Sequence, residues 1–178
     1  MHCWKTINLD KQFGFYRIFF LSLFVMMMVF SVIYVPINLI ISQDLYDSHF
    51  YYFLIGTIMV YPLHKLLHLI PILRYMNKIK YKIKMYFGIF PVFSFRVDTP
   101  ISKYRYIIAL LFPFMTLTVL FLLGCLYFPH FAHYFTILIA YHTGVCAIDF
   151  IYAKSLMYSP RHAMIEENED GYEILIYQ

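Results

Sequence analysis

The sequence has little charge. Of its 178 residues, 13% are Asp, Glu, Lys or Arg and 62% are hydrophobic, whereas a soluble domain carries about 25% charged residues and about half apolar ones. Too little polar surface exists to cover such a chain in water, so lipid has to solvate part of it, and the chain reads as an integral membrane protein. There is no Gly/Ser-rich or Pro-rich linker and no internal repeat, so residues 1–178 read as a single membrane domain. Three cysteines, Cys3, Cys125 and Cys146, form no CxxC pair and no disulfide framework. The latter two lie in apolar runs, where a thiol is ordinarily a small, soft hydrophobe. The net charge of +4 is concentrated in one loop and reports topology, not a nucleic-acid partner.

Long apolar runs are what the chain does have. Four stretches reach the roughly 20 residues that a helix needs to cross about 30 Å of hydrocarbon: 16–41, 50–73, 106–128 and 131–153. The first contains LSLFVMMMVFSVIYVPINLII. It is longer than the apolar region of about 7–15 residues in a signal peptide, and no small-residue cleavage site follows it. Pro36 and Pro113 fall inside or near span ends, where neighbouring helices re-satisfy the carbonyls a proline frees.

The loops assign sidedness. Lys5, Lys11 and Arg17 precede the first span, and SQDLYDSH after it has no Lys or Arg. The loop 74–105 holds Arg74, Lys78, Lys80, Lys82, Lys84, Arg96, Lys103 and Arg105 against the single acid Asp98. The positive-inside rule therefore places both termini, this loop and the tail 154–178 on the cytoplasmic face of a multi-pass cell-membrane protein. Within the loop, IKYKIKM at 79–85 alternates strictly between apolar residues and lysines, and Gly88 and Pro91 then break a second apolar run. Period two predicts strands, here a β-hairpin on the cytoplasmic membrane face. A polybasic surface made by Lys78, Lys80, Lys82 and Lys84 would meet anionic lipid, each lysine contributing on the order of 1 kcal/mol. The expected fold class is an all-α membrane protein of about four transmembrane helices, with this short hairpin between helices 2 and 3. For the tail, EENED followed by GYEILIY leaves open one strand pairing with the hairpin or a disordered extension.

Ionisable groups inside spans are costly and usually face partners in the bundle. The second span holds His64, Lys65 and His68 in YPLHKLLHLI, and the fourth holds His133, His142 and Asp149. This asymmetry predicts that the two spans face each other. Residues four apart on a helix are about 40° apart in azimuth and one turn apart in height, so His64 and His68 can point two imidazoles at one ion. His68 and Asp149 lie five and four residues before their span ends, about 6–8 Å inside the same boundary at about 1.5 Å per residue. A carboxylate at that depth completes a two-histidine, one-carboxylate zinc set. His142, two turns before Asp149, is a supporting group or an alternate ligand. The alternatives are a chance HxxxH, and a metal-free ion pair between Lys65 and Asp149 with the histidines as neighbours. His2, His49, His130, His133 and His162 need only ordinary surface roles.

HKLLH at 64–68, ISKYRYIIALLFPFMTL at 101–117, HTGVCAIDFIYA at 142–153 and SPRHAMIEENEDGYEI at 159–174 together resemble the bacterial membrane putative zincin peptidases, whose layout is similar to site-2 proteases. The resemblance spans about 55–175. It implies His64, His68 and Asp149 as zinc ligands, intramembrane proteolysis of a transmembrane peptide substrate, and a strand edge on which that substrate pairs. The chain departs from the family pattern at one position, where Lys65 replaces the glutamate of HExxH. An ammonium has no lone pair to take a proton from water, and no glutamate occurs in any span. The resemblance thus implies a degenerate peptidase that binds transmembrane substrates or regulates a partner membrane protein. The rivals are an active metallopeptidase with another base and a metal-free interaction or immunity-type protein.

Overall fold

The computed structural model describes residues 2–8, 12–40, 44–86, 90–97, 99–168 and 171–176, with backbone alone over 76–96. Five helices carry most of the chain: α1 (Phe15–Ile40), α2 (Phe50–Leu69), α3 (Lys103–Tyr127), α4 (Ala132–Val145) and α5 (Ala147–Met157). Six strands accompany them: β1 (His2–Ile7), β2 (Ile79–Tyr86), β3 (Phe90–Val97), β4 (Ile101–Ser102), β5 (Met164–Asn168) and β6 (Gly171–Ile176).

Three helices, α1, α2 with its extension and α3, are long and apolar enough to cross a membrane, and α4–α5 make a fourth crossing if the bent pair is one span. Most apolar side chains on these helices point outward; Phe24, Met27, Val32, Ile58, Met115 and Leu126 are all more than half exposed. That is the inverse of a soluble helix and is compatible with a multi-pass membrane protein.

Two of the expected spans differ in form. The stretch 131–153 is not one straight helix but breaks at Cys146 with a 46° bend. The stretch 50–73 stays α-helical only to Leu69 and tightens into a 3-10 helix over Ile70–Lys78. Pro71 lies in that segment and supplies no N–H to continue the α ladder, which favours the change of winding there.

The chain is mostly helical, as expected, but two antiparallel sheets accompany the helices rather than one hairpin. The hairpin between the second and third spans exists: β2 and β3 pair from Ile79↔Val97 to Tyr86↔Phe90. The side-chain directions of Lys78, Lys80, Lys82 and Lys84 lie outside the described residues. The second sheet has the order β1-β6-β5-β4. The tail therefore makes its own hairpin, Glu166↔Glu173 through Asn168↔Gly171. Its outer partner is the N-terminal segment, Ile7↔Tyr172, and not the basic hairpin. Glu167 of β5 links the two sheets by accepting from the Val97 N–H of β3 (3.0 Å) and ties them to α3 by accepting from the Tyr106 hydroxyl (2.8 Å).

Apolar burial forms two clusters. Ile7, Val97, Ile101, Ile165, Tyr172 and Ile174 of the strands close over Tyr106, Leu110 and Leu156 at one end of the helices. Val60, Leu67, Leu117, Phe121, Leu138 and Ile139 fill the bundle interior. Close helix approach requires a glycine at position 144, where a Cβ would lie 2.9 Å from the Ser22 carbonyl oxygen and 3.2 Å from Met26 Cβ. This small residue near the end of α4 lets α1 pack directly on it. Lys103 is buried, and its ammonium donates to the carbonyls of Met157 and Ser159. A cation there neutralises the carbonyl end of α5 and ties it to the start of α3. These contacts hold α2, α3 and the bent α4–α5 pair in fixed register around one polar cluster.

Candidate metal centre

The polar residues of α2 and of the bent pair meet inside the bundle. His64 Nε2 lies 3.1 Å from His68 Nε2 and 3.3 Å from Asp149 Oδ2, and His68 Nε2 lies 3.7 Å from the same oxygen. Around a tetrahedral zinc with bonds of about 2.0–2.1 Å, neighbouring nitrogen and oxygen ligands sit about 3.3–3.4 Å apart. The three edges bracket that value. The His64 and Asp149 side chains are 1% and 10% exposed and that of His68 is 17% exposed, so approach to the cluster is from the His68 side.

The protons within this cluster argue for an ion. His68 Nδ1 lies 2.8 Å from the Ala109 carbonyl oxygen. As that oxygen only accepts, Nδ1 is the protonated nitrogen and Nε2 presents a lone pair. Asp149 Oδ2 is buried and forms no hydrogen bond, although His64 Nε2 is near. His68 Nε2 is within hydrogen-bond reach of His64 Nε2 (3.1 Å), but the buried carboxylate oxygen beside them has no hydrogen bond, a costly arrangement that a shared cation would relieve. The residues present therefore fit a zinc ion.

The availability of the Ala109 carbonyl follows from the sequence. In an α-helix this oxygen would accept from the N–H of residue 113, but position 113 is proline and has none. Pro113, inside α3, therefore frees a carbonyl one turn back, and His68 takes it. A partner of this kind fixes the tautomer and orientation of a metal-ligating histidine, and its loss typically costs about 10–100-fold in affinity. Pro113→Ala returns a competing N–H. Its expected result is a stiffer α3 but zinc affinity lowered up to about tenfold, read by competitive titration with a zinc chelator.

His142 lies behind His64, with its Nε2 3.2 Å from His64 Nδ1. Cys146 Sγ is 3.4 Å from His142 Nε2 and 3.7 Å from His64 Nδ1. Lys65 is half-buried, with its ammonium 6.0 Å from the centre of the Tyr61 ring. It is thus held over an aromatic face one turn back along α2. The metal-free alternative, a Lys65–Asp149 ion pair, is not formed: among the described residues the ion contacts of Asp149 are with His64 and His68. His133 lies elsewhere, its Nε2 3.3 Å from Asp47 Oδ1, and His130 stacks on Tyr46.

The structure thus brings His64, His68, His142 and Asp149 together and leaves Lys65 beside them. Two participants escaped sequence reasoning. Ala109 contributes only backbone, and its signal was the proline four residues later. Cys146 follows His142 by four residues, the same spacing that singled out His64 and His68, but its apolar surroundings made it read as packing.

No curated protein and no solved structure matches the chain. One family model, described as putative zincin peptidase, matches residues 57–164, which is more than half of the chain and includes every residue of the cluster. The chain belongs to the putative zincin peptidase family.

Proposed function

We propose that this protein is a multi-pass membrane zincin whose peptidase chemistry is disabled at position 65. In this reading it binds transmembrane segments, or modulates an active partner in the same membrane, rather than hydrolysing peptide bonds at an ordinary rate. The observation that carries the proposal is the set of His64 Nε2, His68 Nε2 and Asp149 Oδ2 within 4.8 Å of one another, with a lysine where the family's base would stand. His64, His68 and Asp149 are the zinc ligands. A zinc ion held there would supply Lewis acidity towards a carbonyl and activate water near neutral pH.

The chain's own residues do the rest. His68, anchored on Ala109, and His64, backed by His142, hold two imidazoles in fixed orientation. Helices α2 and α3 exclude water on the inner side. Lys65 contributes positive charge and no proton acceptor. The β2–β3 hairpin offers backbone edges for an extended segment to pair with, and the sheet end of the molecule, with the basic stretch 78–84, faces the cytoplasm and anionic lipid.

Metal content and cleavage test this together. In the full chain purified in detergent, about one zinc per chain is expected at the His64, His68 and Asp149 position. With the neighbouring Cys146 thiol replaced by serine, Asp149→Asn should lose it, and wild type should leave a membrane-embedded reporter uncut. Zinc-dependent cleavage by wild type would sink the disabled-peptidase reading. Metal binding unaffected by Asp149→Asn in the Cys146→Ser background would sink the ligand assignment.

A further inference from the structure

His64 meets a second set of ligand atoms on its other ring nitrogen. His64 Nδ1, His142 Nε2 and Cys146 Sγ all lie within 4.8 Å of one another and all three residues are buried. The N–N edge is 3.2 Å and the two S–N edges are 3.4 and 3.7 Å. Around a tetrahedral ion with bonds of about 2.3 Å to sulfur and about 2.0–2.1 Å to nitrogen, these edges are about 3.3–3.4 Å and about 3.6 Å. Sulfur stands further off than nitrogen by the amount its larger radius requires. The remaining nitrogen of His142, Nδ1, is buried and has no hydrogen-bond partner among the described residues. The polar contacts of this ring are therefore all at Nε2, with His64 Nδ1 and Cys146 Sγ.

Local chain geometry explains how the thiol reaches this place. Cys146 sits at the break between α4 and α5, with its N–H still bonded to the His142 carbonyl (2.9 Å) and its own carbonyl accepting from the Phe150 N–H (3.0 Å). The turn stays helical through the bend, so Cys146 remains one turn beyond His142 on the same face. Both residues are 0% exposed. An ordinary core cysteine has no need of two imidazole nitrogens as neighbours.

We propose that His64 Nδ1, His142 Nε2 and Cys146 Sγ form a second metal position, suited to a thiophilic ion such as zinc(II) or copper(I). It shares His64 with the position formed by His68 and Asp149. Binding releases the thiol proton, and the thiolate becomes the ligand. A neutral imidazole has one N–H and one lone pair, so an ion on Nδ1 puts the ring proton on Nε2 and takes His64 away from the first position. The second position is thus a competing seat that draws metal out of the zincin site. The competition rests on the reading under Proposed function, whereas the thiolate site itself stands on its own geometry.

Cobalt(II) is the probe, because a thiolate ligand gives it a near-ultraviolet charge-transfer absorption that nitrogen and oxygen ligands do not. The full chain loaded with cobalt is expected to show this absorption. Cys146→Ser and His142→Asn should lose it, while a Cys3→Ser, Cys125→Ala double variant keeps it. Asp149→Asn, which cripples only the first position, should keep it at equal or greater intensity. Zinc binding retained by Cys146→Ser shows that the variant is folded and that the first position stands by itself. Cobalt bound by wild type without the absorption, or an absorption that persists in Cys146→Ser, overturns the second position. A wild-type absorption lost in Cys146→Ser, with all metal binding indifferent to Asp149→Asn, instead supports the second position and removes the first.

Discussion

Lys65→Glu is expected to confer zinc-dependent peptidase activity on the protein. Residue 65 follows His64 by one position and precedes His68 by three, so its side chain leaves α2 beside the ligand nitrogens. A glutamate there can accept a proton from water and deliver it to a leaving amine, a contribution typically worth about 10²–10⁴-fold. The ligand frame requires no rebuilding, since His64, His68 and Asp149 already converge. Lys65→Gln separates charge from base. It removes the cation beside the ion, so its zinc affinity should rise relative to wild type, but it restores no proton acceptor and should remain inactive. Cleavage of a membrane-embedded reporter, with and without a chelator, reads all three proteins. Equal zinc-dependent activity in wild type and Lys65→Glu would show that the base comes from elsewhere.

Chelation is expected to destabilise the wild-type protein strongly and an Asp149→Asn, Cys146→Ser protein little. Without an ion, the Asp149 carboxylate is left buried beside two imidazoles, with one oxygen unsatisfied, and such a group is costly. Bound metal stabilises the folded state by mass action, about 4 kcal/mol at a free concentration about 1,000 times the dissociation constant. For a chain of this size each kcal/mol moves the midpoint by about 2–4 °C, so removing the ion should lower it by about 8–16 °C. Asp149→Asn removes the buried charge along with a ligand of the first position, Cys146→Ser removes the thiolate of the second, and the double variant's midpoint should respond to chelator by less than a third of that. His64→Ala serves as a further control, because it lies in both ligand sets and should make the protein indifferent to metal. A midpoint in wild type that ignores chelator would mean that the cluster is held by hydrogen bonds alone.

Much of this arrangement was legible before folding was considered. Apolar run length gave the long helices, because crossing hydrocarbon demands about 20 residues whatever the packing. Strict alternation gave the β2–β3 hairpin, because side chains on a strand alternate between its faces. His64 and His68 were visible as a pair because four residues make about one helical turn. Asp149 stood out because a carboxylate inside an apolar span needs a partner, and few partners were on offer.

Other features depended on contacts remote in sequence. The tail was open between strand and disorder because strand pairing depends on what lies alongside, and β6 found the N-terminal β1, 165 or more residues away in the chain. The break at Cys146 carries no proline and no charge to announce it. The placement of Lys65, over the Tyr61 ring and in no ion pair with Asp149, was a choice among rotamers made by packing. The sequence by itself determined which residues must be apolar, which helices are long enough, and which side chains can share a helix face, since these follow from local periodicity and solvation. Only the tertiary structure decided that Ala109 orients His68 and that Cys146 joins His64 and His142, because a lone pair has no address in the sequence until another helix is packed against it.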